Sequence, residues 1–467
     1  MLTRTLASLG ILAAASCSAL NDNFLGGGGP QVGTQGFVGG FLGGAVADEP
    51  RAALAARDVL SAGGNAVDAA VAAGFTLAVT LPSRAALGGG GACLVYTPNP
   101  GTGSPDTGDG GRGVEAVLFL PAAPAQSGGD RPAAVPTMAR GLFALHARHG
   151  QLPFEQLLAP AEKLARFGVS ASRALVRDIG VVAGPLSGDP ASRAAFFANG
   201  QPLAEGATLR QPDLGASLAQ LRTAGVGDLY QGVLARNFAA AATQAGGPMT
   251  DADLRQALPQ VLPAPETTFG DDVVSLFPLP ADGGVAVAAA LGALSKQPEA
   301  LQQAGAQGLA AAAAARRLPG GLGALPASTS FATLDRNGDA VACALTMNNL
   351  FGTGRIAPGT GIVLAASPAA ATRPLLSAAI VWNSHINRFR AAIGASGQDG
   401  APLAAAVAVT QVEAAGGPAA LPLPTPPPEP GRANVIQCNR YLPGNEGSCG
   451  WATDPRGAGL AIGSSSR

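Results

Sequence analysis

The sequence is poor in the residues that mark several common protein classes. Charged residues make up 13% of the 467 positions and aromatic residues 4%, and the chain has only three histidines. The formal net charge is −1, and no cluster of lysines and arginines occurs, which argues against an electrostatic nucleic-acid partner. The few histidines and the absence of a G-x-S-x-G motif argue against a Ser-His-Asp hydrolase of the α/β-hydrolase type.

Small and apolar residues are abundant instead. Apolar residues make up 47% of the chain, and 66 residues are glycine. This composition predicts many small-residue helices packed closely on sheets. The length is large for one domain but acceptable for a single unit of mixed helix and sheet.

The N-terminus has the features of an export signal. Arg4 precedes an apolar stretch, Leu6–Ala15, which is too short to span a bilayer. Small residues then precede Cys17, as in a bacterial lipoprotein processing site. We therefore expect a leader over residues 1–17, a glycine-rich tether over 18–44, and export to the periplasm. Lipidation at Cys17 and plain secretion both remain open.

Two helices and a glycine run follow the tether. Apolar spacing predicts a helix over Ala45–Ala62, and Asn65 is a suitable cap for a second helix over Ala66–Ala78. The run Gly88–Gly91 has no Lys-Ser/Thr after it, so a phosphate-binding loop is disfavoured. Close packing of backbone on backbone is the favoured interpretation.

The cysteines fall into two groups. Cys438 and Cys449 lie in a loop rich in Pro, Gly and Asn, where a local disulfide can form in an oxidising compartment. Cys93 and Cys343 lie in apolar, strand-like segments, and we predict that they are buried and pack as small hydrophobic residues.

A hydroxyl-rich hairpin in the C-terminal third organises the chain. Ser328 and Thr329 open a strand-like segment that ends at Asn337-Gly338, the strongest short signal for a hairpin turn. The return strand would bring Thr346 and Asn348 back towards Ser328. A hydroxyl nucleophile would then lie beside polar groups without any histidine. On these residues alone, a polar loop before an ordinary hairpin is the simpler alternative.

Several segments resemble one family. The text STSFATLDRNGDAVACALTMNNLFGTG resembles the start of the small subunit of the γ-glutamyltranspeptidase family, and AGGNAVDAAVAAGFTLAV and DPRGAGLA match two further family segments. The resemblance covers the chain from about residue 43 to the C-terminus, in order. It implies an α+β fold, the four-layer αββα sandwich of N-terminal-nucleophile hydrolases. Residues 45–327 would resemble the large subunit and residues 328–467 the small one, in one intertwined unit.

The resemblance also implies the chemistry. It places Ser328 on the nucleophile position, exposed as a new N-terminus by self-cleavage, whose α-amine would be the general base. The remaining implied roles are catalytic for Thr329 and Thr346, substrate-binding for Asn348, and oxyanion-stabilising for Gly397 and Gln398. The family uses no metal and no cofactor, so we expect none.

The sequence departs from the family where the substrate would bind, since the family's arginine, aspartate and paired serines at the substrate have no clear match. Leu120 occupies the position of the arginine that binds the substrate carboxylate, and Arg373 is a candidate replacement. We expect an amide hydrolase or acyltransferase acting on γ-glutamyl compounds such as glutathione, or on a related amide. The enzyme would be a heterodimer of the large and small fragments. The alternative is a catalytically retired, exported binding protein on the same fold.

Overall fold

A computed structural model describes residues 40–98, 113–315, 325, 327–370, 373–414 and 431–464. The predicted leader, Cys17 and residues 18–39 of the tether lie outside these residues, so the predictions made for them stand as predictions. Within the described ranges, no helix is both long and apolar enough to cross a membrane.

The strands run, in chain order, β1 Gly43–Ala47, β2 Gly90–Tyr96, β3 Val114–Phe119, β4 Val169–Ser170, β5 Phe197–Ala198, β6 Gln201–Pro202, β7 Thr208–Leu209, β8 Gln260–Pro263, β9 Glu266–Phe269, β10 Asp272–Leu276, β11 Ser328–Asp335, β12 Ala340–Thr346, β13 Ile356–Ala357, β14 Ile362–Val363, β15 Ser377–Asn383, β16 Arg388–Ser396, β17 Arg432–Leu442, β18 Cys449–Thr453 and β19 Leu460–Gly463.

The helices are α1 Pro50–Ser61, α2 Ala66–Thr80, α3 Met138–His149, α4 Phe154–Phe167, α5 Arg173–Val181, α6 Ala183–Ser187, α7 Pro190–Phe196, α8 Pro212–Ala224, α9 Asp228–Gln231, α10 Val233–Gln244, α11 Asp251–Gln256, α12 Gly283–Leu294, α13 Leu301–Ala315 and α14 Ala401–Glu413.

Two antiparallel sheets lie at the centre of the molecule. The first has the strand order β19–β1–β11–β12–β2–β3–β8, and the second has the order β18–β17–β16–β15–β10–β9. Strands β11 and β12 of the first sheet contact β15 and β16 of the second, so the sheets pack face to face. Helices α1 and α2 cover the first sheet, and α12 and α14 cover the second. The predicted four-layer αββα sandwich is confirmed.

Helix α2 shows how the small residues make this packing close. Asn65 and Asp68 form a reciprocal capping box at its start, and all fifteen of its residues are buried. Because most of these residues are alanine, glycine or valine, the helix lies close to β11 and β12 beneath it. The predicted cap and start of this helix are confirmed, and the helix extends to Thr80.

The predicted helix over Ala45–Ala62 is wrong at its N-terminal end. The first five residues of the segment Gly43–Ser61 form β1, which pairs with β11 and β19, and α1 begins only at Pro50. Proline lacks a backbone N–H and suits the first turn of a helix, and the Glu49 carboxylate accepts the N–H of Ala52. Helical spacing alone does not reveal the strand, because its pairing partners lie far along the chain. Gly43, predicted to belong to the tether, is the first residue of β1.

Cys93 and Cys343 are buried, as predicted, but they do not pack as two separate small hydrophobic residues. These two residues are direct partners in the register of β2 and β12, and a disulfide joins them. The register of two strands 250 residues apart is a tertiary feature, so the local sequence gives no sign of it. A second disulfide joins Cys438 to Cys449, across β17 and β18.

A cluster of charges fastens α3 to the first sheet. The carboxylate of Glu115 on β3 accepts hydrogen bonds from Arg148 at 2.7 and 3.2 Å and from His149 at 2.9 Å. Partial burial acts to raise the pKa of Glu115, but the hydrogen bonds from His149 and Arg148 outweigh it and lower the pKa to about 2. The cluster therefore stabilises the ionised form of Glu115.

Replacing Glu115 by glutamine should reduce the free energy of unfolding near neutral pH, and the difference should shrink in acid. The pKa of Glu115 in the folded state, about 2, lies below its ordinary value of 4.5. Its stabilisation is therefore present above pH 4.5 and is lost as the pH falls through about 2. Urea unfolding of wild type and Glu115→Gln across this range measures the effect. The exposed Glu205→Gln is the control, and a pH-independent loss for Glu115→Gln would contradict the prediction.

Candidate active site

Ser328 is the first residue of β11 and is buried, with 1% of its surface exposed. Alternate residues of a strand share a face, and Ala332 and Leu334 belong to the core between the two sheets. The Ser328 side chain therefore points between the sheets. Its hydroxyl oxygen accepts a hydrogen bond from the backbone N–H of Gly397 at 3.2 Å. The predicted nucleophile thus lies at a strand end against a backbone donor.

Thr346 and Asn348 lie beside Ser328, as the hairpin predicts. Thr346 is the register partner of Ser328, and its hydroxyl accepts the backbone N–H of Asn348 at 2.8 Å. Asn348 has a left-handed backbone, with φ of 60°, and its Nδ2 donates to the carbonyl of Ala366 at 2.9 Å. Its buried Oδ1 has no hydrogen-bond partner among the described residues. A buried acceptor of this kind favours a ligand that brings an N–H or O–H donor.

The carbonyl group of the peptide bond before Ser328 is fixed by a hydrogen bond. Ala327 is fully buried, and its carbonyl oxygen accepts the backbone N–H of Met347 at 3.2 Å. Negative charge would develop on this oxygen if a hydroxyl attacked the carbonyl carbon. A fixed N–H at that position stabilises such charge at no cost in reorganisation.

A tight turn follows β16 on the facing sheet. Gly397 has φ of 105° and Gln398 has φ of 45°, both in the left-handed range that favours glycine. This turn aims the Gly397 N–H at Ser328. The Gln398 side chain donates to the carbonyl of Leu325 at 2.7 Å, so it contacts the chain that leads to Ser328. The family resemblance implied a role only for the backbone N–H of Gln398. The contact of its side chain with Leu325 is a further observation.

Thr329 lies on the opposite face of β11, as expected for the next residue of a strand. Its hydroxyl donates to the buried carboxylate of Asp48 at 3.1 Å, and the same carboxylate accepts the backbone N–H of Ser330 at 2.9 Å. Asn434 on β17 donates to Asp48 and to the Ser330 hydroxyl, each at 2.9 Å. Asp48 and Asn434 therefore fasten the start of β11 to the second sheet.

A small cavity adjoins Thr346 and Asn348. Its other described lining residues are Leu120, Pro280, Ala281, Asp282, Arg373, Pro374 and Leu376. Leu120 therefore contributes an apolar wall, and Arg373 contributes a guanidinium from a different segment. Within the ranges that the structure describes, no group of three His, Cys, Asp or Glu side chains is placed to hold a metal ion.

Sequence reasoning did not identify Asp48, Asn434 or the backbone N–H of Met347. A backbone donor carries no residue signature, and Asn434 reaches Ser330 only because the two sheets pack together. Asp48 lies directly before Glu49 and Pro50, where an acidic residue looks like an ordinary helix cap. Its own backbone N–H donates to the Ser330 carbonyl at 3.2 Å, which only the β1–β11 pairing brings about.

Comparison with protein families gives one match over more than half of the chain. A family model described as Gamma-glutamyltranspeptidase matches residues 52–318, which end before Ser328. The glutathione hydrolase proenzyme of Escherichia coli (strain K12) is 29% identical over 378 residues, covering 66% of this chain and 63% of that protein. The glutathione hydrolase proenzyme of Pseudomonas aeruginosa is 32% identical over 310 residues, covering 62% and 50%. The chain thus spans about half to two thirds of these relatives.

Comparison with solved structures covers nearly the whole chain. The crystal structure of cephalosporin acylase from Bacillus halodurans superimposes with a TM-score of 0.71 and covers 94% of this chain and 99% of that one. Sequence identity is 19%, so the likeness concerns the fold.

Asp48→Asn should destabilise the protein by about 1–3 kcal/mol, because an amide cannot accept hydrogen bonds on both sides as this carboxylate does. Asp48 uses one oxygen for Thr329 and Ser330 and the other for Asn434. Urea unfolding in a Ser328→Ala background, which lacks the predicted nucleophile, measures the loss.

The neighbouring Glu49→Gln is the matched control. The hydrogen bonds that Glu49 accepts from Ala52 and Thr80 go to the same oxygen. A glutamine keeps that acceptor, so the change in unfolding free energy should stay below about 1 kcal/mol. Equal losses of unfolding free energy in the two variants would contradict the prediction that the contacts of Asp48 with β11 stabilise the protein.

Proposed function

Since the chain belongs to the gamma-glutamyltranspeptidase family, we propose that it is a self-cleaving amide hydrolase or acyltransferase with Ser328 as nucleophile. The observation that carries the proposal is the arrangement at the Ala327–Ser328 bond. The Ser328 hydroxyl meets the Gly397 N–H, and the Ala327 carbonyl meets the Met347 N–H. These two contacts, at the hydroxyl and the carbonyl on either side of one peptide bond, support the proposal.

Self-cleavage proceeds in two steps. The Ser328 Oγ attacks the carbonyl carbon of Ala327, the C–N bond breaks, and the hydroxyl proton passes to the nitrogen that leaves. An ester then joins Ala327 to the Ser328 side chain, and the α-amine of Ser328 is free. Water hydrolyses the ester, which gives a carboxylate on Ala327 and restores the Ser328 hydroxyl. The Met347 N–H stabilises the charge on the Ala327 oxygen during the first step.

The mature site repeats this chemistry on an external amide. The α-amine of Ser328 takes the hydroxyl proton while Oγ attacks the substrate carbonyl, and the same proton goes to the departing amine. The acyl group is then bound to Ser328 as an ester, and water or a second amine removes it. The backbone N–H groups of Gly397 and Gln398 would stabilise the oxyanion, with Thr346 fixing the adjoining loop through Asn348.

For the substrate, we propose a γ-glutamyl compound such as glutathione or a related amide. The similar curated proteins are glutathione hydrolases, and the unpartnered Oδ1 of Asn348 suits an amino group of such a ligand. Arg373, the cation among the described lining residues of the cavity, would face a carboxylate. Leu120 would contact an uncharged part of the substrate.

Location and assembly belong to the same proposal. The leader and Cys17 suit an exported protein, periplasmic and held to the membrane by a lipid. Each sheet contains strands from both sides of Ser328, so the two fragments would stay folded together as a heterodimer.

Purified wild type should consist of two fragments, the smaller beginning at Ser328, and Ser328→Ala should remain one chain. N-terminal sequencing and intact mass under reducing conditions measure this. Ser330→Ala is the control, because it removes a neighbouring hydroxyl of the same strand face and should still be cut. A wild-type chain that remains uncut would overturn the proposal of self-cleavage. It would favour the alternative, a catalytically retired binding protein on the same fold.

The fragments should separate only under reducing conditions, because Cys93 lies in the large fragment and Cys343 in the small one. Cleaved wild type should run as one band on a non-reducing denaturing gel and as two after reduction. Cys93→Ala with Cys343→Ala should give two bands in both gels. Cys438→Ala with Cys449→Ala is the control and should keep the single band, since both residues lie in the small fragment. Two bands from unreduced wild type would contradict the prediction.

A further inference from the structure

Gln398 has a backbone conformation that its residue type rarely adopts. Its φ is 45°, in the left-handed region where a Cβ crowds the backbone. Glycine escapes this crowding, and asparagine and aspartate tolerate it, whereas glutamine has no such advantage. Residues held in strained conformations cluster at functional sites. A glutamine at this position therefore points to a use for its side chain.

The backbone of the turn is held by contacts that do not involve the Gln398 side chain. The Gly400 N–H donates to the Gly397 carbonyl at 2.9 Å, and the Ala401 N–H donates to the Gln398 carbonyl at the start of α14. Gly431 packs so closely that an added Cβ would lie 1.9 Å from the Gly400 carbonyl. The turn is thus a firm base from which the Gln398 side chain extends.

That side chain reaches the segment that carries the proposed cleavage point. The Gln398 Nε2 donates to the carbonyl of Leu325 at 2.7 Å, and Leu325 lies three residues before Ser328 in the chain. The Leu325 side chain is partly buried and packs against the core between the first sheet and its helices. Leu325 is therefore held at two points, by its side chain and by its carbonyl.

One turn thus contacts both sides of the proposed reaction. The Gly397 N–H meets the Ser328 hydroxyl at 3.2 Å, and the neighbouring Gln398 side chain meets the chain that leads to the Ala327 carbonyl. The distance between the Ser328 oxygen and that carbonyl depends on both contacts. Reaction rates are sensitive to such a distance, because a misplacement of about 1 Å can cost about 100-fold.

We propose that the Gln398 side chain is a positioning residue for self-cleavage, holding the chain before Ser328 so that the Ala327 carbonyl meets the Ser328 hydroxyl. The inference rests on the proposed function, because it concerns the rate of that cleavage. In this step the Ser328 Oγ forms an ester with Ala327, the C–N bond breaks, and the hydroxyl proton passes to the nitrogen. The Gln398 side chain touches none of these atoms and acts through Leu325.

The contact acts on the intact chain. An external substrate must bring its own carbonyl to the Ser328 hydroxyl, so the chain that ends at Ala327 after cleavage has to leave that place. The side chain of Gln398 and its backbone N–H therefore have separate roles, the first in making the enzyme and the second in the proposed oxyanion site.

Gln398→Asn tests the side chain without adding strain to the turn. Asparagine tolerates a left-handed backbone, but its side chain is one methylene shorter and should not reach the Leu325 carbonyl. The full chain is made by cell-free synthesis with a short radioactive pulse, and a reducing denaturing gel follows the loss of intact chain. Gln398→Asn should be cut about tenfold more slowly than wild type, because one positioning contact is lost.

Gln211→Met is the matched control. The Gln211 Nε2 donates to the carbonyl of Val79 at 2.8 Å, so this variant loses a bond of the same kind away from the turn. It should be cut at the wild-type rate. Urea unfolding of both variants in a Ser328→Ala background compares their stability, and Gln398→Asn should be no less stable than Gln211→Met. Equal slowing of cleavage in the two variants would overturn the inference.

A comparison of Gln398→Glu with Gln398→Met gives a readout that a merely structural role would not produce. Both side chains resemble glutamine in length. Near neutral pH neither can donate, because glutamate is ionised and methionine has no donor, but a protonated glutamate donates through its O–H. Both variants should therefore be cut slowly near neutral pH. After transfer of the labelled chains to about pH 4.3, where about half of an ordinary glutamate is protonated, Gln398→Glu should be cut about fivefold faster than Gln398→Met.

The outcomes separate this inference from the proposed function. A wild type that is cut, together with a Gln398→Asn chain cut at the same rate, would overturn the inference and leave the proposed function standing. Equal rates for Gln398→Glu and Gln398→Met in acid would do the same, and this comparison decides if Gln398→Asn does not fold. A wild type that is never cut would overturn both.

Discussion

Strand β11 is paired on both edges, by β1 and by β12, and the placement of Ser328 relative to Thr346, Met347 and Asp48 depends on that pairing. The pairing with β12 sets Thr346 opposite Ser328 and brings the Met347 N–H to the Ala327 carbonyl. The pairing with β1 places Asp48 beside Ser330. A slip of one residue would turn Ser328 to the helix side and remove the proposed nucleophile from the space between the sheets.

The two faces and two edges of β11 make different contacts. The face turned to the second sheet carries the Ser328 hydroxyl and meets Gly397. The face turned to the helices carries Thr329, which fastens the strand to Asp48. One edge offers the Met347 N–H to the carbonyl before Ser328, and the other carries the hydrogen bonds between Ser330 and Asp48. In the proposed mechanism, this one strand end supplies the attacking oxygen, the carbonyl and the base without any histidine.

Small residues make this arrangement compact. At Gly90, opposite Thr346, an added Cβ would lie 2.1 Å from the Phe119 carbonyl and 2.2 Å from the Thr137 hydroxyl. The glycine run therefore serves close backbone packing, as the sequence predicts, and it holds β2 tightly against β12. The disulfide between Cys93 and Cys343 joins the same two strands and lies across the proposed cleavage point in the chain.

Much of the fold and part of the site were accessible from the sequence. The capping residue Asn65, the hairpin at Asn337 and the segments resembling a known family predicted α2, the β11–β12 pair and the sandwich. The hairpin also predicted that Ser328 and Thr346 would lie together, because a tight turn determines the register of its own strands.

What the sequence determined by itself was local: which segments form helices, where a turn reverses the chain, and which residue types a family resemblance assigns to the site. Only the tertiary structure decided the strand at Gly43, the Cys93–Cys343 bond, and the contacts of Asp48 and Asn434. Each of these joins residues far apart in the chain. Such contacts form only when two strands take one register or two sheets take one packing, and neither choice is recorded in the residues near each partner.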